Sequence, residues 1–176
     1  MHSFHSQQWL PLPAELVFAF FANPANLPRL MPSWQQARIE KAILVPPPPP
    51  LTASALTHVF TPLAAGTGTR LTLSFRPFPL SPVRLRWVAE IDSFVWNSLF
   101  SDIQLRGPFA KWHHTHKITP ETRIDESGAA IPGTLIEDEV QYQLPLGKLG
   151  NLAHPLIARQ LRRTFEFRRR RTRELL

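Results

Sequence analysis

Six polar or ionisable side chains occupy alternate positions in three strand-like segments, at residues 100–104, 112–118 and 136–142. Side chains of a strand point alternately to opposite faces, so residues of the same parity share one face. A buried carboxylate or imidazole is costly unless it is paired or hydrogen-bonded. We therefore expect one polar row on the wall of an otherwise apolar concavity, formed by Asp102, Gln104, His114, His116, Asp138 and Tyr142.

The register of the first two segments follows from the turn signal at Gly107-Pro108. Directly opposed side chains in an antiparallel pair have Cβ atoms about 5 Å apart. A carboxylate beside an imidazole orients the ring and raises its affinity for a proton, which is the apparatus of a general acid or base. Asp102 and His114 are therefore candidate catalytic residues, and Asp138 could reach His114 from the third segment. The predicted opposed pairs are Asp102 with His114, Gln104 with Trp112, and Phe100 with His116.

The polar row has four possible interpretations. It could be a buried hydrogen-bond network that fixes strand register, or the polar end of a ligand cavity that anchors one head group. It could also perform acid–base catalysis. Finally, His114 and His116 alternate on one face with carboxylates nearby, which suits zinc-type ligation. The sequence lacks a third well-spaced ligand, so we predict neither a metal nor another cofactor.

The apolar side chains of the same faces should line a cavity opposite a long C-terminal helix. The strand residues expected there are Leu71, Leu73, Phe75, Leu85, Trp87, Ile91, Phe100, Trp112, Ile136 and Val140, and the helix residues are Leu156, Ile157, Leu161 and Phe165. Trp87 and Trp112 also carry N–H groups that need a partner when buried. The predicted ligand-binding residues are Phe75, Trp87, Phe100, Gln104, Trp112, His116, Ile136, Asp138, Tyr142, Leu156 and Leu161.

The elements that position these residues follow a recognisable order. A first strand at residues 3–9 precedes a helix that ends at Asn23-Pro24, a second short helix near residues 26–32, and a strand at about 33–45. The prolines at 46–50 predict an extended surface connection, and residues 51–68 an irregular insertion. Closely spaced strands then form an antiparallel meander. From about Leu149, apolar residues at helical spacing predict a long amphipathic helix, which begins or bends near Pro155.

Composition restricts the function further. The 176 residues suffice for one domain, and the chain contains no cysteine, so disulfides and thiolate metal sites are impossible. We find no signal-peptide pattern and no apolar run near the roughly 20 residues that span a bilayer, so we expect a cytoplasmic protein without stable membrane insertion. The net charge of +7 arises largely from C-terminal arginines, which we assign to the solvated outer face of the last helix. No nucleic-acid-binding motif accompanies them, so we expect no nucleic-acid partner.

Several strings resemble a known superfamily. They are residues 10–13 leading into 18–27, residues 100–109 followed by 112–116, residues 138–147, and the closing Phe165-Glu166-Phe167-Arg168. Together they resemble the SRPBCC superfamily, which includes START lipid-transfer domains, birch-pollen-allergen-like proteins and polyketide cyclases, and within it an uncharacterised bacterial ligand-binding branch. The likeness spans Phe4 to about Arg170, and the proline run and residues 51–63 depart from it.

This resemblance implies an α+β helix-grip fold, with a curved antiparallel sheet of about seven strands around a long C-terminal helix and two short helices after the first strand. We expect residues 1–176 to form one such domain, with a proline-rich insertion at about 46–68. The expected function is binding of a small hydrophobic, aromatic or lipid-like molecule, for transport, sequestration or sensing. One alternative is a cyclase or dehydratase using the Asp–His pair. Another is a protein-interaction module using the proline run or the arginine face. The oligomeric state stays open, a dimer included.

Overall fold

The computed structural model describes residues 1–50 and 64–176. A strand, β1 (His2–Leu10), leads into helix α1 (Ala14–Ala22) and two 3₁₀ helices, η1 (Pro24–Leu30) and η2 (Ser33–Gln35). The strands that follow are β2 (Arg38–Ile43), β3 (Arg70–Phe75), β4 (Leu85–Val95), β5 (Leu99–Arg106), β6 (Lys111–Pro120), β7 (Arg123–Ile124), β8 (Ala130–Ile131) and β9 (Thr134–Gln143). The chain ends with the short helix α2 (Gly147–Asn151) and the long helix α3 (His154–Leu175).

Seven of these strands form one antiparallel sheet in the order β1-β9-β6-β5-β4-β3-β2, while β7 and β8 form a separate ribbon. The first strand therefore pairs with the last one, and the rest of the sheet is a meander. Strand β9 shows why the sheet has two distinct faces, since Thr134, Ile136, Asp138, Val140 and Tyr142 are buried at every second position. This period of two is what a sheet with one covered face requires.

The core consists of two clusters on the covered face of the sheet. Helix α1 contributes the fully buried Val17 and Phe18 to the first cluster, which also contains Phe94, Phe100 and Ile136. The second cluster contains Val140, Tyr142, Leu144 and Phe165, and so joins β9 to α3. Glu15 lies in the first turn of α1, where a negative charge is favourable.

Helix α3 places a regular stripe toward the sheet. Ile157, Leu161, Phe165 and Thr172 follow helical spacing, and Phe165 and Thr172 are buried. The prediction that Leu156 faces the sheet is wrong, because its side chain is 70% exposed. Each residue turns an α-helix by about 100°, so Leu156 points away from the stripe that begins at Ile157.

Two predicted boundaries differ from the structure. The strand expected at 33–45 is reduced to β2, since η2 occupies its start and Gln36 adopts a left-handed φ of 47°. The long helix begins at His154, with Pro155 in its first turn, where a proline loses no helical hydrogen bond. Residues 149–151, which the sequence assigns to that helix, belong to the separate α2.

The proline run at 46–50 has no regular secondary structure. Pro47 is buried, and a side chain at Gly66 would come within 2.5 Å of its Cα atom. The Trp96 indole N–H donates to the Pro48 carbonyl oxygen at 2.6 Å. The part of the predicted insertion at 51–63 lies outside the described residues. No helix within 1–50 and 64–176 is both long and apolar enough to cross a membrane.

Candidate functional site

A cavity of about 600 Å³ lies between the concave face of the sheet and the inward face of α3. Strands β3 and β4 supply one wall, α3 the opposite wall, and η1 one end. The lining is mostly apolar, and it includes Leu30, Leu71, Leu73, Phe75, Leu85, Trp87, Ile91, Phe100, Trp112, Ile157, Leu161 and Phe165. The aromatic side chains are packed against one another, since the Trp87 and Trp112 ring centroids are 4.9 Å apart and nearly perpendicular.

Ionisable side chains enter this cavity from β5, β6 and α3. They are Asp102, His114, His116 and Arg168. The β5–β6 register pairs Asp102 with His114 and Phe100 with His116, which confirms two of the three predicted pairs. The predicted pairing of Gln104 with Trp112 falls one position beyond the ladder, which ends at Ile103 and His113.

These groups form a continuous line with Asp138, which lies behind them on β9. The His114 Nε2 atom is 3.2 Å from Asp138 Oδ1, and its Nδ1 atom is 3.6 Å from Asp102 Oδ1. The His116 Nδ1 atom is 2.6 Å from the same Asp138 oxygen. The His116 Nε2 atom lies 3.5 Å from a terminal nitrogen of Arg168. Two imidazoles therefore converge on one carboxylate, with a second carboxylate at one end and a guanidinium at the other.

The surroundings decide which of these groups are charged. Burial lowers the pKa of His116 to about 3, and the neighbouring His114 and Arg168 act in the same direction. Burial alone would raise the pKa of Asp138, but Arg168, His116 and the hydrogen bonds from both imidazoles hold it well below its usual value. Burial raises the pKa of Asp102, against the opposing effect of His114 and Arg168.

One arrangement of hydrogens satisfies these states. The neutral His116 ring carries its proton on Nδ1, 2.6 Å from the Asp138 carboxylate, and accepts at Nε2 from Arg168, an assignment made from these distances. The carboxylate of Asp138 and the guanidinium of Arg168 then balance each other. His114 and Asp102 both line the cavity, with 3.6 Å between His114 Nδ1 and Asp102 Oδ1.

Arg168 was not predicted as a site residue, because the sequence pattern assigned it with the other arginines to the outer face of the helix. The Arg168 guanidinium instead lies 5.1 Å from the ring centroid of Phe21 and 5.7 Å from that of Phe165. Among the described residues, its buried Nε atom has no acceptor. Helical spacing could have predicted its orientation. Residue 168 follows Ile157 by 11 positions and Phe165 by three, so it falls on the same inward face of the helix as both of them.

Five of the residues predicted to bind a ligand do not line the cavity. Gln104 closes the β5–β6 turn, because its Nε2 donates to the Phe109 carbonyl oxygen at 2.7 Å. Ile136 and Tyr142 belong to the two core clusters. Asp138 stands behind the two histidines, and Leu156 is on the outside of α3. The other six predicted residues are in the lining, namely Phe75, Trp87, Phe100, Trp112, His116 and Leu161.

Three of the polar side chains lie close enough to hold a cation together. Ligand atoms of Asp102, His114 and His116 are within 4.8 Å of one another, so the fold supplies the third group that the sequence spacing lacked. Two features oppose a metal at this place. The Nδ1 atom of His116 already contacts Asp138, and the positive charge of Arg168 lies next to the Nε2 atom of the same ring.

Comparison with known proteins shows the fold. No family model and no curated protein matches the chain. Among solved structures, protein CV1439 from Chromobacterium violaceum superposes with a TM-score of 0.61 at 12% identity, over 97% of this chain and 94% of the other. TTHA0849 from Thermus thermophilus gives 0.58 at 17% identity, over 98% and 95%. Ara h 8.0201 gives 0.55 at 14% identity, over 98% of both chains. The chain therefore has the helix-grip fold, while identities this low assign neither family nor ligand.

Proposed function

We propose that this protein binds a small hydrophobic or aromatic molecule in the cavity between the sheet and α3. The observation that carries this proposal is the cavity of about 600 Å³, which is lined by apolar side chains and has its ionisable groups at one place. Sites for small molecules are commonly of this size and are apolar with a few convergent polar groups. Transport, sequestration and sensing are all compatible with such a site.

The polar groups favour a ligand with an uncharged oxygen-containing head. Arg168 lowers the pKa of Asp138, so these two charges offset each other, whereas burial raises the pKa of Asp102. The Asp102 side chain is 24% exposed, and the Trp112 Nε1–H lies close enough to lower the pKa of that carboxyl without forming a hydrogen bond of good geometry. A ligand carbonyl oxygen would accept from the Trp112 N–H and a ligand hydroxyl would pair with Asp102, whereas an additional carboxylate would enter a cavity whose cation, Arg168, is already offset by Asp138.

A fluorescence titration tests the binding proposal. The neutral probe N-phenyl-1-naphthylamine should bind with enhanced emission and should quench Trp87 and Trp112, which line the cavity. Ala89→Phe fills the cavity from β4 and should weaken binding at least tenfold. Arg86→Phe, on the outward face of the same strand, is the matched control and should bind as the wild type does. Absence of saturable binding, together with no co-purified small molecule in native mass spectrometry, would refute the proposal.

The second candidate function is catalysis of the cyclase or dehydratase type. It is supported by the Asp102–His114 pair, which faces the cavity and can share a proton next to a bound carbonyl compound. Asp102→Asn and His114→Ala should then abolish turnover of a polyketide-like substrate while the near-UV circular dichroism stays unchanged. Turnover that survives both substitutions would remove these residues from any catalytic role.

The third candidate, a protein-interaction module based on the proline run, has less support. Pro47 is buried and the Pro48 carbonyl oxygen accepts a hydrogen bond from Trp96, so two of the five prolines are engaged within the chain. A pull-down that is unaffected by deletion of Pro46–Pro50 would exclude this candidate.

A further inference from the structure

We propose that the mouth of the cavity and the outward face of α3 form a docking surface for an anionic lipid bilayer. The surface begins with four leucines at the start of the C-terminal region. Leu146, Leu149, Leu152 and Leu156 are 80%, 73%, 79% and 70% exposed. Single exposed leucines are ordinary, but four within 11 residues concentrate exposed apolar surface in one segment, called the leucine patch below. Leu146 and Leu149 also line the cavity, so this patch is part of its rim.

The β3–β4 loop adds a second apolar segment to the rim. Pro77 and Leu85, at the two ends of this loop, both line the cavity. Between them, Phe78, Leu80 and Val83 are 58%, 92% and 61% exposed. Apolar side chains therefore project from two separate segments that border the same opening. Such an arrangement suits insertion into the shallow, partly apolar layer of a bilayer surface.

Positive charge continues the leucine patch along α3. Leu156, Arg159, Arg163 and Arg170 follow each other at intervals of three, four and seven residues, which places them on one face of the helix, and Leu152 lies in the turn just before it. All five are exposed, as is the neighbouring Arg162. Glu166 interrupts the stripe, but the arginines outnumber it. Juxtaposed apolar and basic surfaces match the acyl boundary and the anionic head groups of a membrane.

Other occupants fit this surface less well. A second copy of the chain packed on the same face would bring two arginine stripes together, and like charges repel. A nucleic acid would match the arginines but would leave the leucines in water. The inference does not depend on the identity of the cavity ligand. It requires no membrane-spanning segment, because interfacial binding uses one face of a helix.

Flotation with lipid vesicles tests the proposal on the full-length protein. Vesicles of phosphatidylcholine with one-third phosphatidylglycerol should bind the protein, whereas pure phosphatidylcholine vesicles should bind it much more weakly. Binding to the anionic vesicles should decrease as salt is raised. Arg159→Gln with Arg163→Gln should lower the vesicle affinity about 20-fold. Leu152→Ser with Leu156→Ser should lower it by about tenfold or more, since their apolar contact with the interface is lost.

Matched controls separate this surface from general charge and hydrophobicity. Arg38→Gln with Lys41→Gln removes two exposed charges from β2, and Ile43→Ser with Ile124→Ser removes two exposed apolar side chains elsewhere. Both control variants should bind vesicles within about twofold of the wild type. Probe binding in the cavity should be unchanged in the Leu152/Leu156 variant, because neither residue lines the cavity.

Several outcomes would overturn the inference. These are no binding to anionic vesicles at low salt, equal binding to neutral and anionic vesicles, and test variants that bind like the controls. A dimer that the leucine substitutions dissociate, without any vesicle binding, would assign the surface to a second copy. Tight binding of a DNA or RNA duplex through Arg159 and Arg163, with no preference for vesicles, would assign it to nucleic acid.

Discussion

The Nδ1 atom of His116 lies 2.6 Å from the Oδ1 atom of Asp138, and the two residues face each other directly in the β6–β9 ladder. This pair joins the polar side of the cavity to the centre of the sheet. The positive charge of Arg168 lowers the pKa of the Asp138 carboxyl, and the Arg168 side chain extends from α3 to within 3.5 Å of His116 Nε2. The sheet and the helix are thus connected by an electrostatic contact in addition to apolar packing.

Removing the charge of Asp138 should lower the free energy of unfolding. Asp138→Asn removes the buried carboxylate that both His114 and His116 contact and whose pKa Arg168 lowers, and loss of one partner from a buried charged network costs about 3 kcal/mol or more. Urea denaturation should show this loss in the free energy of unfolding. Glu137→Gln, next to it on the outward face, removes an ion pair with the exposed Lys117 and should cost less than about 1 kcal/mol. Equal effects of the two substitutions would contradict the pairing.

The depressed pKa of His116 predicts a specific pH dependence. The folded protein keeps this ring neutral down to about pH 3, whereas the unfolded chain takes up a proton near pH 6.5. Above pH 6.5 the ring is neutral in both states and does not affect the free energy of unfolding. As the pH falls from 6.5 toward 3, the free energy of unfolding declines by up to about 1.4 kcal/mol per pH unit. His116→Gln should reduce the slope of unfolding free energy against pH by one proton.

His113 provides the control for that measurement, since it lies on the opposite face of β6 and its side chain is 41% exposed. His113→Gln removes an imidazole from that other face, and the His116→Gln slope between pH 4 and 6 should be the smaller of the two variants' slopes. The raised pKa of Asp102 acts with the opposite sign, since it removes stability as the pH rises from the ordinary carboxyl value of 3.8. The wild type, His116→Gln and His113→Gln all contain Asp102, so its contribution cancels when their slopes are compared. A His116→Gln slope equal to the wild-type slope would refute the neutral, buried state of this ring.

Truncations on α3 test which face of the helix packs on the sheet. Phe165→Ala should lower the free energy of unfolding by about 3–5 kcal/mol, because the Phe165 side chain is 5% exposed and belongs to the second core cluster. Leu156→Ala should change it by less than about 0.5 kcal/mol, because its side chain is already in water. Thermal or urea unfolding followed by circular dichroism distinguishes these values. A large loss for Leu156→Ala would restore the orientation that the sequence predicted.

Gln104 should matter for the β5–β6 turn and not for the ligand. Its side chain donates to the Phe109 carbonyl oxygen and accepts from the Phe109 N–H at 3.3 Å. Gln104→Ala loses both hydrogen bonds and should cost about 1–2 kcal/mol of stability. The affinity for N-phenyl-1-naphthylamine should change less than twofold. A large loss of affinity with no loss of stability would return Gln104 to the list of ligand-binding residues.

The fold was predictable because alternation and helical spacing extend over long segments of this chain. The β5–β6 register could be inferred from one turn, and it correctly brought Asp102 to His114. Alternation indicates which face of the sheet a side chain is on, but it does not indicate whether that side chain reaches the cavity surface or lies in the core behind it. This is why Asp138 and Tyr142, although on the correct face, lie behind the cavity wall and inside the core.

The errors on α3 have one physical origin. Amino-acid type and helical spacing disagree there, since Leu156 is apolar and outward while Arg168 is charged and inward. The prediction was based on amino-acid type, and it therefore assigned both residues to the wrong face of the helix. An inward guanidinium is stabilised by two aromatic rings and by the charge of Asp138 on β9, and that environment exists only in the folded molecule.

The pairing of β1 with β9 has a consequence for how the chain folds. Residues 2–10 pair with residues 134–142, so one edge of the sheet forms only after most of the chain has been synthesised. Contacts of such long sequence separation slow folding, and until they form, the edges of β1 and β6 present unpaired backbone groups to other chains. Ribosome-bound fragments that end before Thr134 should therefore be prone to aggregation. This tendency should disappear once β9 has left the ribosome and paired with β1 and β6.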